Sequence, residues 1–317
     1  MTIVQPVPPL ASGSLAPAAL ARPSGTFAMI AMDQRESLRV MMSRHIADGH
    51  VSDEAMVAFK LSVARELAPL ASAFLIDREY GHDRVVADRL LPADCALVLA
   101  ADALDQPGGV VTDTDLDEQV DPGQARADGA AALKLLVVWR RDARREQRVE
   151  LAARFIARCR EAGLASVLEP VTRPTPAEEA AGTFDLNASI VEAAAELAPL
   201  GPSLYKCQVP DRGIGSISHL ARQAERIDAV VDCPWVVLSQ GVDPQAFPHA
   251  VKAVCQAGAS GFLAGRALWT DALAGPDPLP VLRGASAARL RELADIVDRY
   301  GRPWQQARAA TAPGGAA

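Results

Sequence analysis

The sequence predicts a single (β/α)8 TIM barrel of the α/β class. Three observations predict it: eight short apolar runs, helix-like stretches between most of them, and enough apolar residues for one large core. Half of the 317 residues are hydrophobic, and barrels of this length commonly stay undivided.

The runs are, in order, FAMIAMD ending at Asp33, ASAFLID ending at Asp77, CALVLAAD ending near Asp102, AALKLLVVW with Lys134, ASVLEPV with Glu169, SLYKCQVP with Lys206, WVVLSQG with Ser239 and GFLAGRA with Arg266. Each is too short for a helix core and is bounded by polar, Gly or Pro residues, which marks a parallel strand buried on both faces. Between them, DEAMVAFKLSVARELAPL, EQRVELAARFIARCREAG and PQAFPHAVKAVCQAG carry polar faces, with Gly163 and Gly258 set as C-terminal stops. An open doubly wound sheet is the rival. It lacks a strand that opens a G-x-G-x-x-G helix, since Gly213 and Gly215 in DRGIGS follow a proline loop. The expected plan is a loose tail over 1–24 with one short helix, the barrel over 25–302 and a disordered tail over 303–317.

A formal charge of −7 argues against nucleic acid, whose binding needs clustered cations. The one dense basic stretch, Arg140 to Arg148, mixes acids with bases and fits a solvated helix start. Five widely spaced cysteines without C-x-x-C indicate neither a disulfide framework nor a zinc knuckle, and fit a reducing cytoplasm. The first 25 residues lack a basic start and are broken by Pro8, Pro9 and Pro17, unlike a signal core. No apolar run approaches the roughly 20 residues that cross a bilayer, so no membrane partner is expected.

Only four of the 32 cationic side chains are lysines: Lys60, Lys134, Lys206 and Lys252. Two of them, Lys134 and Lys206, sit inside apolar strand runs, where an ammonium is costly to desolvate. Lysine can lose its proton and arginine cannot, so a buried strand lysine is a natural Schiff-base nucleophile. An ordinary lysine, with a pKa of about 10.4, is uncharged in roughly one molecule in 2,500 at pH 7. A nucleophilic lysine therefore needs neighbours that take or repel its proton. Spacing leaves open which of the two is the nucleophile, and a salt bridge to a barrel carboxylate is the bland alternative for each. Lys60 and Lys252 lie in helical stretches and are expected at the surface.

Glu169, in an apolar strand end between the two lysine strands, could move protons for them. Asp33 ends the first strand at the functional mouth of a barrel, as a catalytic group or as a loop-ordering cap. Asp77 is expected to be structural. The loops after the last two strands, LSQGVD and LAGRALW, offer Ser239, Gly241, Gly265 and Arg266 to an anion. Gln34 and Arg35 follow the first strand; Arg35 is the preferred contact for a second, distal anion, with Arg140 and Arg173 as the other arginines directly after strands. Each of the three could instead pair with acids such as Glu36 or Asp142. The five histidines, His45, His50, His82, His219 and His249, lack ligand spacing and are expected at the surface, so neither metal nor cofactor is expected.

GTFAMIAMDQRESLR, FK…PLASAFLID, GAAALKLLVVWR, LEPVTRP, LYKCQVP, WVVLSQGVD and AGASGFLAGRALW together resemble the class I aldolases that cleave tagatose 1,6-bisphosphate or 6-deoxy-6-sulfofructose 1-phosphate. The resemblance spans about 25–300 in unbroken order. LKLLVVWR and EPVTRP are more similar to the sulfofructose branch, which serves sulfoquinovose degradation, and REYG after the second strand to the tagatose branch. The resemblance implies Lys206 as the Schiff-base lysine, Glu169 as the proton-transfer residue, Lys134 in support, and Gly241, Gly265 and Arg266 as phosphate contacts. It also implies a small-molecule sugar-phosphate substrate, dihydroxyacetone phosphate as product and a homo-oligomer. The chain departs from the family at Gln208, where an acid usually stands two places after the lysine, and at Gln240, where a small residue precedes the glycine. Other readings are a transaldolase or keto-acid lyase, and a non-catalytic sugar-phosphate sensor, which would have no need of lysines in strands.

Overall fold

Eight apolar runs that each bury both faces can satisfy their backbone only against one another, and ring closure leaves no open edge. The computed structural model describes residues 15–307. The barrel strands are β1 (Phe27–Met32), β2 (Ala73–Ile76), β3 (Ala96–Ala100), β6 (Ala130–Trp139), β7 (Ala165–Thr172), β8 (Leu204–Cys207), β9 (Trp235–Val237) and β10 (Gly261–Ala264). They pair in parallel around a closed ring in the order β1, β10, β9, β8, β7, β6, β3, β2. All eight expected runs therefore become barrel strands. The connection after β3 holds a hairpin, β4 (Asp102–Asp105) paired antiparallel with β5 (Asp113–Leu116).

Side chains alternate between two cores. Phe27, Met29, Ala73, Leu75, Val98, Ala132, Val167, Leu204, Val236 and Leu263 fill the inside of the barrel, while neighbours such as Ile30, Phe74, Leu99, Leu135 and Tyr205 face the helices. Those helices include Asp53–Leu67, Arg145–Ala162 and Phe247–Gln256, which matches the helical stretches read from sequence. Gly163 ends the second of them in the left-handed region at φ 70°, and Gly258 stands two residues past the end of the third. Among the described residues, no helix is long and apolar enough to cross a membrane.

The described part of the expected N-terminal tail is built into the barrel. A short 3-10 turn at Ala18–Leu20 places Leu20 in the inner core with no exposure, and Trp304 packs against the same cluster. Arg22, Ser24 and Thr26 all bond to Asp298, and the Trp304 amide donates to the Gly25 carbonyl at 2.8 Å. Leu20 thus closes the end of the barrel opposite the strands' C-termini. Residues 1–14 and 308–317 of the expected tails lie outside the described residues.

Ring closure between β1 and β10 leaves no room for a side chain at Gly261. Its φ is +143°, and a Cβ there would stand 2.0 Å from the Phe27 carbonyl oxygen. Gly261→Ala should cost about 2–5 kcal/mol through backbone strain and overpacking together. Urea unfolding followed by circular dichroism checks this, and an unchanged midpoint would contradict the closure described here.

Candidate active site

The alternation of β-strands fixes which charges enter the barrel. Asp33 follows Met29 and Ala31, Asp102 follows Val98 and Ala100, Lys134 follows Ala132, Glu169 follows Val167 and Lys206 follows Leu204, each two residues beyond an inward-facing position. All five side chains therefore meet above the inner core, below a small apolar layer of Leu136, Val138, Val171 and Leu238 at the mouth. Each is buried, with at most 7% exposure.

Lys134 is the hub. Its Nζ donates to Asp33 Oδ2 at 2.7 Å and to Asp102 Oδ2 at 2.9 Å, and lies 3.0 Å from Glu169 Oε2. The same Glu169 oxygen lies 2.9 Å from Lys206 Nζ, so one carboxylate stands between two amines without hydrogen-bond geometry to either. Burial works against the charge on Lys134, but Asp102, Asp33 and Glu169 outweigh it and hold its pKa well above the ordinary lysine value. Burial likewise opposes charge on Asp33, and Lys134 and Lys206 overcome it, so its carboxyl lies far below the usual range. Asp102 is lowered in the same way by Lys134 and Arg35. Lys134 is a fixed cation, whereas among the described residues Lys206 has one carboxylate within 4.0 Å, and that one is shared.

The charges continue beyond Lys134. Arg35 Nη1 donates to the second oxygen of Asp102 at 2.9 Å and its Nε lies 4.0 Å from Asp77, whose other oxygen accepts from Lys60. Lys60 was expected at the surface but has no exposure. Burial pushes its pKa down despite Asp77. Its neighbours Met56, Val63 and Ala64, at i−4, i+3 and i+4, are all buried, a pattern that marks its helix face as apolar. Asp77 is structural as expected: besides Lys60 it accepts from the Tyr80 amide at 2.9 Å. Arg35, the expected contact for a distal anion, is committed to Asp102 along the cavity wall, because a strand-end carboxylate invisible at 67 residues' separation reaches it first. Asp102 itself was not singled out, although it ends an apolar run just as Asp33 and Asp77 do. His82 is also buried, against Asp83 and Asp128, rather than at the surface. Among the described residues, no group of three or more His, Cys, Asp or Glu is arranged to hold a metal ion.

A cavity opens over Lys206 and Glu169 at the C-terminal end of the strands. Asp33, Gln34, Arg35, Lys134, Ser239, Gly265 and Arg266 line it, together with Arg173, Gln240 and the hairpin residues Leu104, Gln106 and Val111. Gln34 Nε2 donates to Asp33 Oδ1 at 3.2 Å, and its Oε1 is buried without a partner at the cavity wall. Gly265 lies against the Ala31 carbonyl, 2.4 Å from where a Cβ would stand, so only glycine lets the last strand end approach the first. Gly241 is not part of the lining. It is exposed in the loop after β9, beside the Arg212 side chain. Gln208 accepts from the Thr172 amide at 2.7 Å and from its hydroxyl at 2.8 Å. Its amide oxygen thereby ties the ends of β7 and β8 together, an acceptor role that needs no charge.

Fold and site together define a barrel lyase of the aldolase class. The family model for DeoC/LacD family aldolases matches residues 27–271, and the chain belongs to that family. It is 28% identical to tagatose 1,6-diphosphate aldolase 2 of Streptococcus pyogenes, over 89% of this chain and 94% of that one. It is 27% identical to tagatose 1,6-diphosphate aldolase of Listeria monocytogenes, over 90% and 91%. Its fold is similar to that of fructose-bisphosphate aldolase from Plasmodium falciparum, with a TM-score of 0.64 at 13% identity over 90% and 94% of the two chains.

Lys134→Met would leave three carboxylates facing one another in a buried space, at a cost of about 3–5 kcal/mol. Because the carboxyls of Asp33 and Asp102 lie below the ordinary Asp value of about 3.9, the stability they contribute is complete above that pH and drains away as pH falls through their lower folded values. Urea midpoints measured from pH 7 to pH 3 should therefore hold down to about pH 4 in the native chain. In Lys134→Met the decline should begin at higher pH. Equal profiles would show that Lys134 does not hold these carboxylates ionised.

Proposed function

We propose that the chain is a Schiff-base aldolase that cleaves a phosphorylated ketose, with Lys206 as the nucleophile. The observation that carries this reading is the Glu169 oxygen between the two amines. Lys134 has two further carboxylates to hold its proton, so Glu169 is free to exchange protons with Lys206.

Lys206 passes a proton to Glu169, and its amine adds to the C2 carbonyl of the ketose. The carbinolamine hydroxyl takes a proton from Glu169 and leaves as water, giving an iminium. Glu169, ionised again, takes the C4 hydroxyl proton as the C3–C4 bond breaks; the bond's electron pair enters the iminium to form an enamine, the aldehyde departs, and Glu169 then returns the proton to C3. Protonation at C3 and hydrolysis free Lys206 and release dihydroxyacetone phosphate. Ser239, Gly265 and Arg266 hold the C1 phosphate, and Gln34 Oε1 accepts a substrate hydroxyl.

For the substrate we favour 6-deoxy-6-sulfofructose 1-phosphate, which would yield sulfolactaldehyde, on the similarity of LKLLVVWR and EPVTRP to that branch. The second reading, tagatose 1,6-bisphosphate, is favoured by what the Streptococcus and Listeria relatives are named for. Borohydride reduction in the presence of either ketose should fix a stable adduct on the peptide containing Lys206, located by mass spectrometry. Lys206→Arg should lose at least about 1,000-fold in kcat. An adduct on Lys134, or none with any ketose phosphate, would refute the assignment.

A further inference from the structure

We propose that Lys60, on the helix outside the barrel, is a positioning residue for the reaction: by occupying Asp77 it keeps Arg35 on Asp102, and so keeps Lys134 and Glu169 placed for Lys206. This rests on the proposed function for the task of Lys206, but not for where Arg35 lies.

Arg35 stands between two carboxylates and holds only one of them. Its Nη1 donates to Asp102 at 2.9 Å, while its Nε is buried without an acceptor, 4.0 Å from Asp77. Burial opposes the charge on Arg35, and Asp102, Asp77 and Asp33, in that order, outweigh it and raise its pKa. Asp77 therefore already competes for the guanidinium. Among the described residues, Lys60 and Arg35 are the two cations within 4.0 Å of Asp77. Neither side chain of the Lys60–Asp77 pair has any exposure, so bulk water does not solvate it. The REYG segment seals the pair from outside: the Tyr80 amide donates to Asp77 at 2.9 Å, the Tyr80 ring lies 5.5 Å from the Lys60 ammonium, and Arg39 donates to the Tyr80 hydroxyl at 3.2 Å.

Without Lys60, the lone carboxylate of Asp77 draws Arg35 off Asp102, because a buried charge with no partner is far costlier than one pair traded for another. Asp102 can release Arg35, since its Oδ2 keeps Lys134 at 2.9 Å and the Leu136 amide at 3.0 Å. The consequence falls on Lys134. With its second oxygen stripped of a cation, Asp102 pulls Lys134 harder and draws it from Glu169, now 3.0 Å away. Glu169 is then left to Lys206 alone, 2.9 Å off, as a private ion pair that favours the protonated amine. A lysine outside the barrel thus governs, through Arg35, how readily the amine inside it becomes a nucleophile.

The test compares Lys60→Met, Asp77→Asn and the double variant, each assayed with tagatose 1,6-bisphosphate and 6-deoxy-6-sulfofructose 1-phosphate, with circular dichroism to score the folded protein. Lys60→Met should lose about 10- to 100-fold in kcat with KM nearly unchanged, the size expected when a remote change misplaces a reacting group by about 1 Å. Adding Asp77→Asn removes the competitor for Arg35, so the double variant should recover most of that kcat. Asp77→Asn alone should keep kcat near the native value, because Arg35 has nowhere else to go. A purely structural ion pair behaves otherwise: both single variants lose folded protein alike, and the double variant recovers no kcat. Should Lys60→Met not fold, Lys60→Gln, whose amide still donates to Asp77 but leaves its charge uncompensated, serves in the same comparison. A crystal structure of the Lys60 variant should show Arg35 on Asp77. Equal kcat losses in the Lys60 variant and the double variant, or Arg35 still on Asp102 in that crystal, would overturn the proposal and leave the aldolase reading intact. Turnover of no ketose phosphate by the native chain would defeat the aldolase reading, and the crystal alone would then decide whether Lys60 governs Arg35.

Discussion

One ammonium group surrounded by three carboxylates holds the upper half of this barrel in register. Lys134 on β6 draws Asp33 from the end of β1, Asp102 from the end of β3 and Glu169 from β7 onto a single nitrogen. Such a buried cluster contributes little net stability, because desolvation consumes most of the Coulombic gain, yet removal of the hub alone is expensive. What the cluster supplies is position. Three strand ends that share no backbone ladder across the barrel are tied to one point, and Glu169 is thereby presented to Lys206.

Charges alternate along the whole line, from Lys60 through Asp77, Arg35, Asp102, Lys134 and Glu169 to Lys206. A helix on the outside of the barrel is linked in this way to the proposed nucleophile inside it. Every interior member has an opposite charge on both sides, so the line is compensated except at its last amine. Past Lys206 the sign pattern breaks: among the described residues, Arg173 and Arg266 at the mouth have no carboxylate within 4.0 Å, and Glu169 and Asp33 act on Arg266 only from further off. Internal cations are neutralised by the protein; in the proposed function, Arg266 at the mouth is left for the ligand.

The barrel was legible in the sequence because each strand is buried on both faces and so appears as a continuous apolar run. Lys134 and Glu169 were legible for the same reason, as charges where the pattern demands none. The hairpin was not, since DALD and DTDL alternate acid with apolar residues and present one face to solvent. Leu20 was hidden in an Ala- and Pro-rich stretch whose composition suits a tail; only the open end of the barrel gives it a place to bury. The partner of Arg35 depends on which strand ends meet across the ring, a long-range fact that local pattern does not carry. Lys60 could have been found, because the helical spacing of its apolar neighbours was in plain view.

Lysine usage brings these strands of reasoning together. Of the four lysines, three lie in the buried charge line and the fourth, Lys252, packs its ammonium 5.0 Å from the Tyr300 ring centroid on a partly exposed helix face. Arginine takes most cationic positions elsewhere in the chain. The division follows from shape and chemistry. Lys134 must sit at one point equidistant from several strand ends, which a compact ammonium can do and a planar fork cannot. In the proposed mechanism Lys206 must be able to give up its proton, which a guanidinium does not do at any working pH. At the mouth the requirement reverses: an oxyanion is best held by a fork that never loses charge, and arginine stands at the ends of β6, β7 and β10. Had the two residue types been exchanged between wall and rim, the barrel would keep its net charge and lose both the proton transfer and the grip on the ligand that the proposed function requires.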